Sequence, residues 1–246
     1  MKQDSYLFYG DEKESYISAK ETFAELNKFL PQINSVIDVG CGMAAFSRIF
    51  QETGVKNITL VDHPSINIKK CLVKENFQFI PCDLDKALPS SLKSDVVICT
   101  EVLEHINFKR SVEVLDFIVS CADIIIFSAA IPKQGGTGHI NEQHHEFWIN
   151  KFKERGFDYA DLFKGNIIKN EKIFFYLRQN LFIFFKNQPQ NSPLINAKWL
   201  GDDFAVVSRY ILKSEDGFGK LFKKLPKAFK SSLLFWYGHL TSGTNK

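Results

Sequence analysis

The segment GGTGHINEQHHEFW, residues 135–148, concentrates the side chains most able to do chemistry. Imidazoles accept protons near neutral pH, and imidazole and carboxylate groups both bind metal ions. Three interpretations follow from the composition alone: a metal site, a catalytic base on a glycine-rich loop, or a polar start to a helix. The segment holds three of the six histidines and two glutamates, which are His139, His144, His145, Glu142 and Glu146.

The bulk composition excludes several classes of protein. With 246 residues, 45% of them apolar, the chain can form one large domain or one domain with an appendage. The net charge of +3 is too small to indicate a nucleic-acid-binding protein. The five cysteines form no C-x-x-C pair, which argues against a zinc ribbon or a disulfide framework and favours reduced thiols. Neither a signal peptide nor a long apolar span is present in the sequence, so we expect a cytoplasmic protein.

Apolar runs alternate with helix-length segments along most of the chain. Alternation of this kind predicts a doubly wound α/β sheet. The runs typical of buried parallel strands are 35–40, 57–62, 77–83, 94–101 and 122–129, and the helical segments between them are 44–54, 64–75 and 107–121.

Further elements are predicted on both sides of this alternation. An amphipathic helix over 14–30 precedes it, and a helix over 142–155, ended by Gly156, follows it. Two more strands are predicted near 157–163 and at 180–186.

Acidic residues stand where the predicted strands end, and ligands bind beyond the carboxyl ends of the strands in an open α/β sheet. After the first strand, D-V-G-C-G includes a loose dinucleotide fingerprint, Gly40-x-Gly42-x-x-Ala45. Asp38 argues against that interpretation, because a carboxylate beside the turn repels a pyrophosphate and suits a ligand that carries a cation. Asp62, at the end of the second strand, can accept both hydroxyls of a ribose.

Two more acids complete the series. Asp83 follows the third strand, where it can meet an adenine edge, and Glu101 opens E-V-L-E-H-I after the fourth. Acids at four successive strand ends favour a ligand with a ribose and an amine over a merely solvated surface.

Together, D-V-G-C-G, Asp62, Asp83 and E-V-L-E-H-I resemble the class I S-adenosylmethionine-dependent methyltransferases, over about residues 15 to 186. The resemblance implies an α/β, Rossmann-like, doubly wound sheet of seven strands, mostly parallel with the last strand antiparallel. It places the glycine turn against the methionine part of the cofactor, Asp38 at its amino group, and Asp62 at its ribose. The cofactor-binding residues that it implies are Asp38, Gly40, Cys41, Gly42, Asp62, His63, Asp83, Leu84 and Glu101.

Methyl transfer from a sulfonium needs placement and, for an oxygen acceptor, a nearby base. We predict His139 as that base, because it follows the glycine cluster on the loop after the fifth strand. His105 and Glu101 are the other catalytic candidates. His144 and His145 are expected to start a helix that packs on the sheet, with His144 in one stripe with Trp148 and Phe152.

Metal binding is an open alternative that we do not favour. Glu101, Glu104 and His105 could bind a divalent ion, as in some relatives that methylate RNA ends or quinone precursors. A second set, His139, Glu142 and His144, offers few of the oxygen ligands that hard divalent ions prefer. His105 could instead shape the substrate site or act as a base.

A narrower resemblance bears on the acceptor. G-G-T-G-H-I-N-E-Q and R-Q-N-L-F-I-F-F (178–185) resemble a group of bacterial methyltransferases of capsule, O-antigen and other surface-glycan pathways. It implies a small acceptor, such as a sugar, a nucleotide-linked sugar or a phosphoramidate-type precursor. Two alternatives are a metal-assisted methyltransferase of RNA or a small molecule, and a non-catalytic cofactor-binding partner protein. Against RNA, the sequence has no recognisable RNA-binding module.

The C-terminal part is predicted to be a separate extension. We place the methyltransferase domain at 1–186 and a basic amphipathic helical extension at 187–246, after the turn-rich NQPQNSP segment. The apolar residues and the lysines of residues 218–236 fall on two different helix faces, which suits packing on the domain or on a second subunit in a homodimer, peripheral contact with a membrane or a lipid-linked substrate, or a nucleic-acid partner.

Overall fold

A seven-stranded sheet lies at the centre of the part of the chain that the computed structural model describes, residues 11–160 and 164–187. The strand order is β3-β2-β1-β4-β5-β7-β6, and β7 is antiparallel to both of its neighbours while the others run parallel. This is the predicted Rossmann-like, doubly wound α/β fold. The strands are β1 (Ser35–Val39), β2 (Asn57–Asp62), β3 (Phe77–Pro81), β4 (Val96–Thr100), β5 (Ile124–Ser128), β6 (Asp158–Ala160) and β7 (Phe182–Phe185).

Helices cover both faces of the sheet, so the strands are buried on two sides. The helices are α1 (Glu12–Leu26), α2 (Ala45–Glu52), α3 (Phe108–Cys121), α4 (His145–Lys153), α5 (Lys164–Ile167) and α6 (Phe175–Asn180). Alternate strand residues enter two separate cores: Val36 packs with α1 and α2 residues, whereas its neighbour Ile37 packs with α3 and α4 residues.

The predicted helix at 64–75 is wrong. Only a 3₁₀ turn forms there, over Ile68–Lys70. The chain then runs without regular structure, with the Leu72 N–H donating to the Met43 carbonyl at 2.8 Å and with Cys71 and Val73 buried. The contacts of this segment with the loop after β1 therefore decide its conformation, although its apolar spacing is typical of a helix.

Other boundaries differ by a few residues for local reasons. Helix α1 begins earlier than predicted because the Asp11 carboxylate accepts the Glu14 N–H at 2.9 Å and caps it. Helix α4 begins at His145 rather than at 142. The sequence pattern did not predict the short helix α6, which lies just before β7.

Within residues 11–160 and 164–187, each helix is too short or too polar to cross a membrane. All five cysteines fall in this part of the chain, and they are buried free thiols, as predicted. Residues 218–236 and the predicted extension from 187 lie outside the described residues, apart from residue 187 itself.

Candidate active site

The glycine turn after β1 comes close to the segment that follows β4. Gly40 has φ +70°, and a Cβ atom built on it would lie 2.4 Å from Cγ2 of Val102. Only glycine fits there, because both the backbone conformation and the space exclude a side chain. The turn and the end of β4 are thus neighbours, at the point where the strand order reverses between β1 and β4.

Asp62 ties the end of β2 to the same turn. One carboxylate oxygen accepts the Gly42 N–H at 2.7 Å and the other accepts the His63 N–H at 2.6 Å. Each oxygen keeps lone pairs for further donors. Burial raises the pKa of Asp62, and the two backbone N–H groups oppose that rise.

Asp38 lies beneath the turn and is only 5% exposed. The Ser47 hydroxyl on α2 donates to its carboxylate at 2.6 Å. Burial raises the pKa of Asp38 to about 7, with Ser47 opposing the rise and Asp62 adding to it. A cation at this position would therefore stabilise the charged form of Asp38.

Asp83, in the segment after β3, contacts the segment that follows β2. His63 Nε2 lies 3.5 Å from an Asp83 oxygen, and the Lys86 ammonium pairs with the same oxygen at 2.5 Å. Partial burial raises the pKa of Asp83, but Lys86, the Asp85 N–H and His63 together lower it, so the net shift is downward. Next to it, the carbonyl of Leu84 accepts the Arg110 Nε–H at 2.7 Å, which fixes this loop on α3.

Glu101 is held by side-chain amides from two other segments. It has φ +55° at the end of β4, and Gln134 Nε2 donates to its Oε2 at 3.0 Å. Asn180 Nδ2 donates to its Oε1 at 3.1 Å, and Asn180 Oδ1 lies 3.1 Å from His145 Nε2. The Tyr176 ring lies in the same region. Burial raises the pKa of its hydroxyl, and the charge of Glu101 raises it further.

His105 and His139 meet edge to face, with ring centroids 4.8 Å apart. His105 Nδ1 lies 3.3 Å from the Gly138 carbonyl, and His139 Nδ1 lies 2.9 Å from Glu142. Since these partners accept hydrogen bonds, both neutral rings carry their proton on Nδ1 and keep the Nε2 lone pair. Burial lowers the pKa of His105, and the His139 ring lowers it further.

Glu142 anchors the glycine loop as well as His139. Its carboxylate accepts the Lys133 N–H at 2.8 Å and the Gly135 N–H at 3.2 Å. Glu142 therefore holds the start of the loop. The Ile140 and Asn141 N–H groups donate to the Glu104 carbonyl at 2.9 and 3.0 Å, and helix α4 begins after these contacts, at His145.

Glu104 lies behind this pair and is fully buried. Neither of its carboxylate oxygens has a hydrogen-bond partner among the residues that the structure describes. Burial raises the pKa of Glu104 well above its ordinary value, and Glu101 raises it further. One ligand atom each from Glu104, His105 and His139 lie within 4.8 Å of one another, so these three could hold a metal ion.

Several predicted site residues do come together. Asp62 reaches the glycine turn, His63 reaches Asp83, and His139 reaches His105. The two sets weighed as unfavoured metal ligands are regrouped, since Glu101 accepts hydrogen bonds from amides, and the ligand atoms that lie together are those of Glu104, His105 and His139.

The expected stripe of His144, Trp148 and Phe152 is wrong at its first residue. His144 is exposed and precedes helix α4, whereas His145 is buried with Trp148 and Phe152. Sequence reasoning also missed Gln134 and Asn180, because amide residues in a loop and before a strand carry no chemical signature of their own.

These features define a Rossmann-like α/β domain in which acidic residues lie at the carboxyl ends of the strands, around the point where the strand order reverses. Residues 12–123 match a family model described as a methyltransferase domain. No curated protein matches the chain. The chain is thus similar to methyltransferase domains over residues 12–123, and its fold is one found in solved methyltransferase structures.

Two solved structures illustrate the likeness. The plantazolicin methyltransferase BpumL, in complex with a pentazolic desmethylPZN analog and SAH, is 15% identical with a TM-score of 0.51, covering 72% of this chain and 87% of that one. Phosphoethanolamine N-methyltransferase 1 of Haemonchus contortus, in complex with phosphoethanolamine and S-adenosylhomocysteine, is 13% identical with a TM-score of 0.51, covering 77% of this chain and 46% of that one. At these identities the likeness establishes the fold.

Proposed function

We propose that this protein is a bacterial, cytoplasmic O-methyltransferase that uses S-adenosylmethionine to methylate a small sugar or phosphoramidate-type precursor of a surface glycan. Bound S-adenosylmethionine supplies an activated methyl group on a positively charged sulfur. The segment G-G-T-G-H-I-N-E-Q supports the acceptor class through its resemblance to enzymes of surface-glycan pathways. The structural relatives carry acceptors as different as a plantazolicin analog and phosphoethanolamine, so the fold accommodates varied small molecules.

The observation that carries the proposal is the link between Asp62 and the glycine turn. Its carboxylate accepts the Gly42 N–H at 2.7 Å and still has lone pairs for two ribose hydroxyls. A Cβ atom added at Gly42 would meet nothing within 4 Å, so the backbone at this position is open to the methionine part of the cofactor, whereas Gly40 is packed against Val102. Asp38, His63, Asp83 and Leu84 would complete the cofactor side of the edge.

On the acceptor side, we assign His139 as the general base. Glu142 holds the proton on Nδ1 of His139, so the Nε2 lone pair is available to take the proton of an acceptor hydroxyl. The His105 ring packs against the His139 ring. Because burial lowers the pKa of His105, its neutral form is favoured, and a neutral His105 adds no charge that would oppose protonation of His139. Glu142 would stabilise the imidazolium that forms.

Calorimetry with S-adenosylhomocysteine tests the cofactor assignment. We expect the wild-type protein to bind this product, and Asp62→Asn to weaken binding by about 10- to 100-fold, because a hydrogen bond from ribose to a charged acceptor contributes about 1.5–3 kcal/mol. Asp158→Asn, at an exposed position of β6, should leave the affinity unchanged. Failure of the wild type to bind at millimolar product would refute the proposed function.

A second candidate is metal-assisted methyl transfer, which the unpartnered carboxylate of Glu104 favours. Burial and the neighbouring Glu101 disfavour the charged form of Glu104, and a cation held with His105 and His139 would stabilise that form. Two imidazoles with one carboxylate suit manganese, iron or zinc better than magnesium. In this version His139 is a ligand, with Glu142 orienting its ring from behind as metal-binding histidines commonly require.

Metal binding separates the two candidates without any acceptor. The second candidate predicts that Mn²⁺ or Zn²⁺ alone binds the wild-type protein with one ion per chain, and that Glu104→Gln and His105→Ala abolish binding. Glu146→Gln, an exposed acid on α4, is the matched control. No binding at millimolar metal, or full turnover after chelation, leaves the metal-free route with His139 as the base.

A further inference from the structure

Glu101 lies at the crevice where this sheet reverses its strand order. Strands β1 and β4 are neighbours, and the chain continues from them toward opposite edges of the sheet. Ligands of open α/β sheets bind at such a point. The residue after Glu101, Val102, packs against Gly40, so Glu101 directly precedes the segment that contacts the glycine turn.

The Glu101 carboxylate has neutral partners on both of its oxygens. Gln134 Nε2 donates at 3.0 Å and Asn180 Nδ2 at 3.1 Å, and Asn180 also donates to Gln134 Oε1 at 2.7 Å. Within the described ranges it forms no ion pair with lysine, arginine or histidine. Two amides fix the direction of this carboxylate, and the buried Glu104 carboxyl also interacts with it, but none of these groups supplies a positive counter-charge.

The network continues to His145, which orders it from behind. Because a carboxylate only accepts, the Asn180 amide nitrogen must face Glu101 and its oxygen must face His145 and Gln179. His145 Nε2 therefore donates, which fixes its tautomer. His145 is 3% exposed and Asn180 is 1% exposed, so water does not compete for these bonds.

We propose that Gln134, Asn180 and His145 are positioning residues that hold the Glu101 carboxylate as the counter-charge for the positively charged sulfur of the methyl donor. The inference rests on the proposed use of S-adenosylmethionine. A fixed charge that needs no rearrangement stabilises a cation more than mobile water does. Methyl transfer removes the charge from sulfur, so the same carboxylate favours the donor over the spent product and promotes exchange of one for the other.

Relative affinities for charged and uncharged cofactors test the assignment without an acceptor. Calorimetry would compare S-adenosylmethionine with S-adenosylhomocysteine, and also sinefungin, which carries an amine in place of the sulfonium. Glu101→Gln should lower the preference for both cations by about tenfold, the effect of ~1.4 kcal/mol, with product affinity within about twofold of wild type. Asn180→Ala and Gln134→Ala should each lower the preference for charged cofactors over the product about threefold. The control variant Asn150→Ala, at an exposed position of α4, should leave that preference unchanged.

The tautomer of His145 gives a readout that general destabilisation would not move. ¹⁵N NMR should show the proton on Nε2 in the wild type and its loss or redistribution in Asn180→Ala. An unchanged cation preference in Glu101→Gln overturns the counter-charge role. A preference that falls in Glu101→Gln but stays at the wild-type value in Gln134→Ala and Asn180→Ala overturns the positioning role. Failure of wild type to bind any of the three ligands instead refutes the proposed function.

Discussion

Replacement of His139 by alanine is expected to lower methyl transfer by about 10²- to 10⁴-fold, the contribution of a positioned general base. The His139 side chain is only 12% exposed, and the 2.9 Å contact of its Nδ1 with Glu142 fixes the orientation of the ring. Its neighbour His105 has its own Nδ1 engaged with Gly138 and cannot swing into place without losing that bond. The measurement is transfer of labelled methyl groups to the first active acceptor in a panel of sugar phosphates and nucleotide-linked sugars.

The matched control for this prediction is His144→Ala. His144 is an exposed histidine of the same segment and makes no capping bond to helix α4, so turnover should stay near the wild-type value. In both variants, affinity for S-adenosylhomocysteine should remain within about twofold, since the cofactor side of the edge is unchanged. Near-normal turnover of His139→Ala would remove it from the role of base and from the metal-assisted alternative alike.

The strands were predictable because both faces of the sheet are buried. Strand β5 has all five residues buried, and four of them, residues 124–127, form a continuous apolar run in the sequence. The structure of segment 64–75 was not predictable from periodicity, because it depends on a tertiary contact between Leu72 and Met43. Local preference decides such a short segment only when no distant part of the chain competes for it.

The acids of the site were predictable and their partners were not. Parallel strands bring their carboxyl ends to one edge, so Asp38, Asp62 and Glu101 had to be neighbours once the fold was known. Asn180 lies 79 residues beyond Glu101, and no pattern at either position indicates the bond between them. His144 and His145 differ by a single position at the start of α4, and the apolar spacing alone does not decide which of the two is buried.

Gly40→Ala should cause the largest loss on the cofactor side of the edge. The substitution places a Cβ atom 2.4 Å from Val102 Cγ2 and imposes a side chain on a residue at φ +70°. The conformation costs about 1–2 kcal/mol and the forced contact about 1–3 kcal/mol. Displacement of the turn would also break the bond from Gly42 to Asp62, so affinity for S-adenosylhomocysteine should fall by more than about tenfold.

Two further variants separate the contact from the backbone strain. Gly54→Ala is the strain control, because Gly54 has φ +99° and a Cβ atom added there would meet nothing within 4 Å, so it should lower the free energy of unfolding and leave cofactor affinity intact. The double variant Gly40→Ala/Val102→Ala removes the two methyl groups that obstruct the new side chain and should recover part of the lost affinity. Cofactor binding by Gly40→Ala at wild-type strength would show that the turn can move away from β4 without consequence. The close approach of the turn to Val102 would then have no part in forming the crevice, and the placement of Glu101 beside the methyl donor would lose its geometric basis.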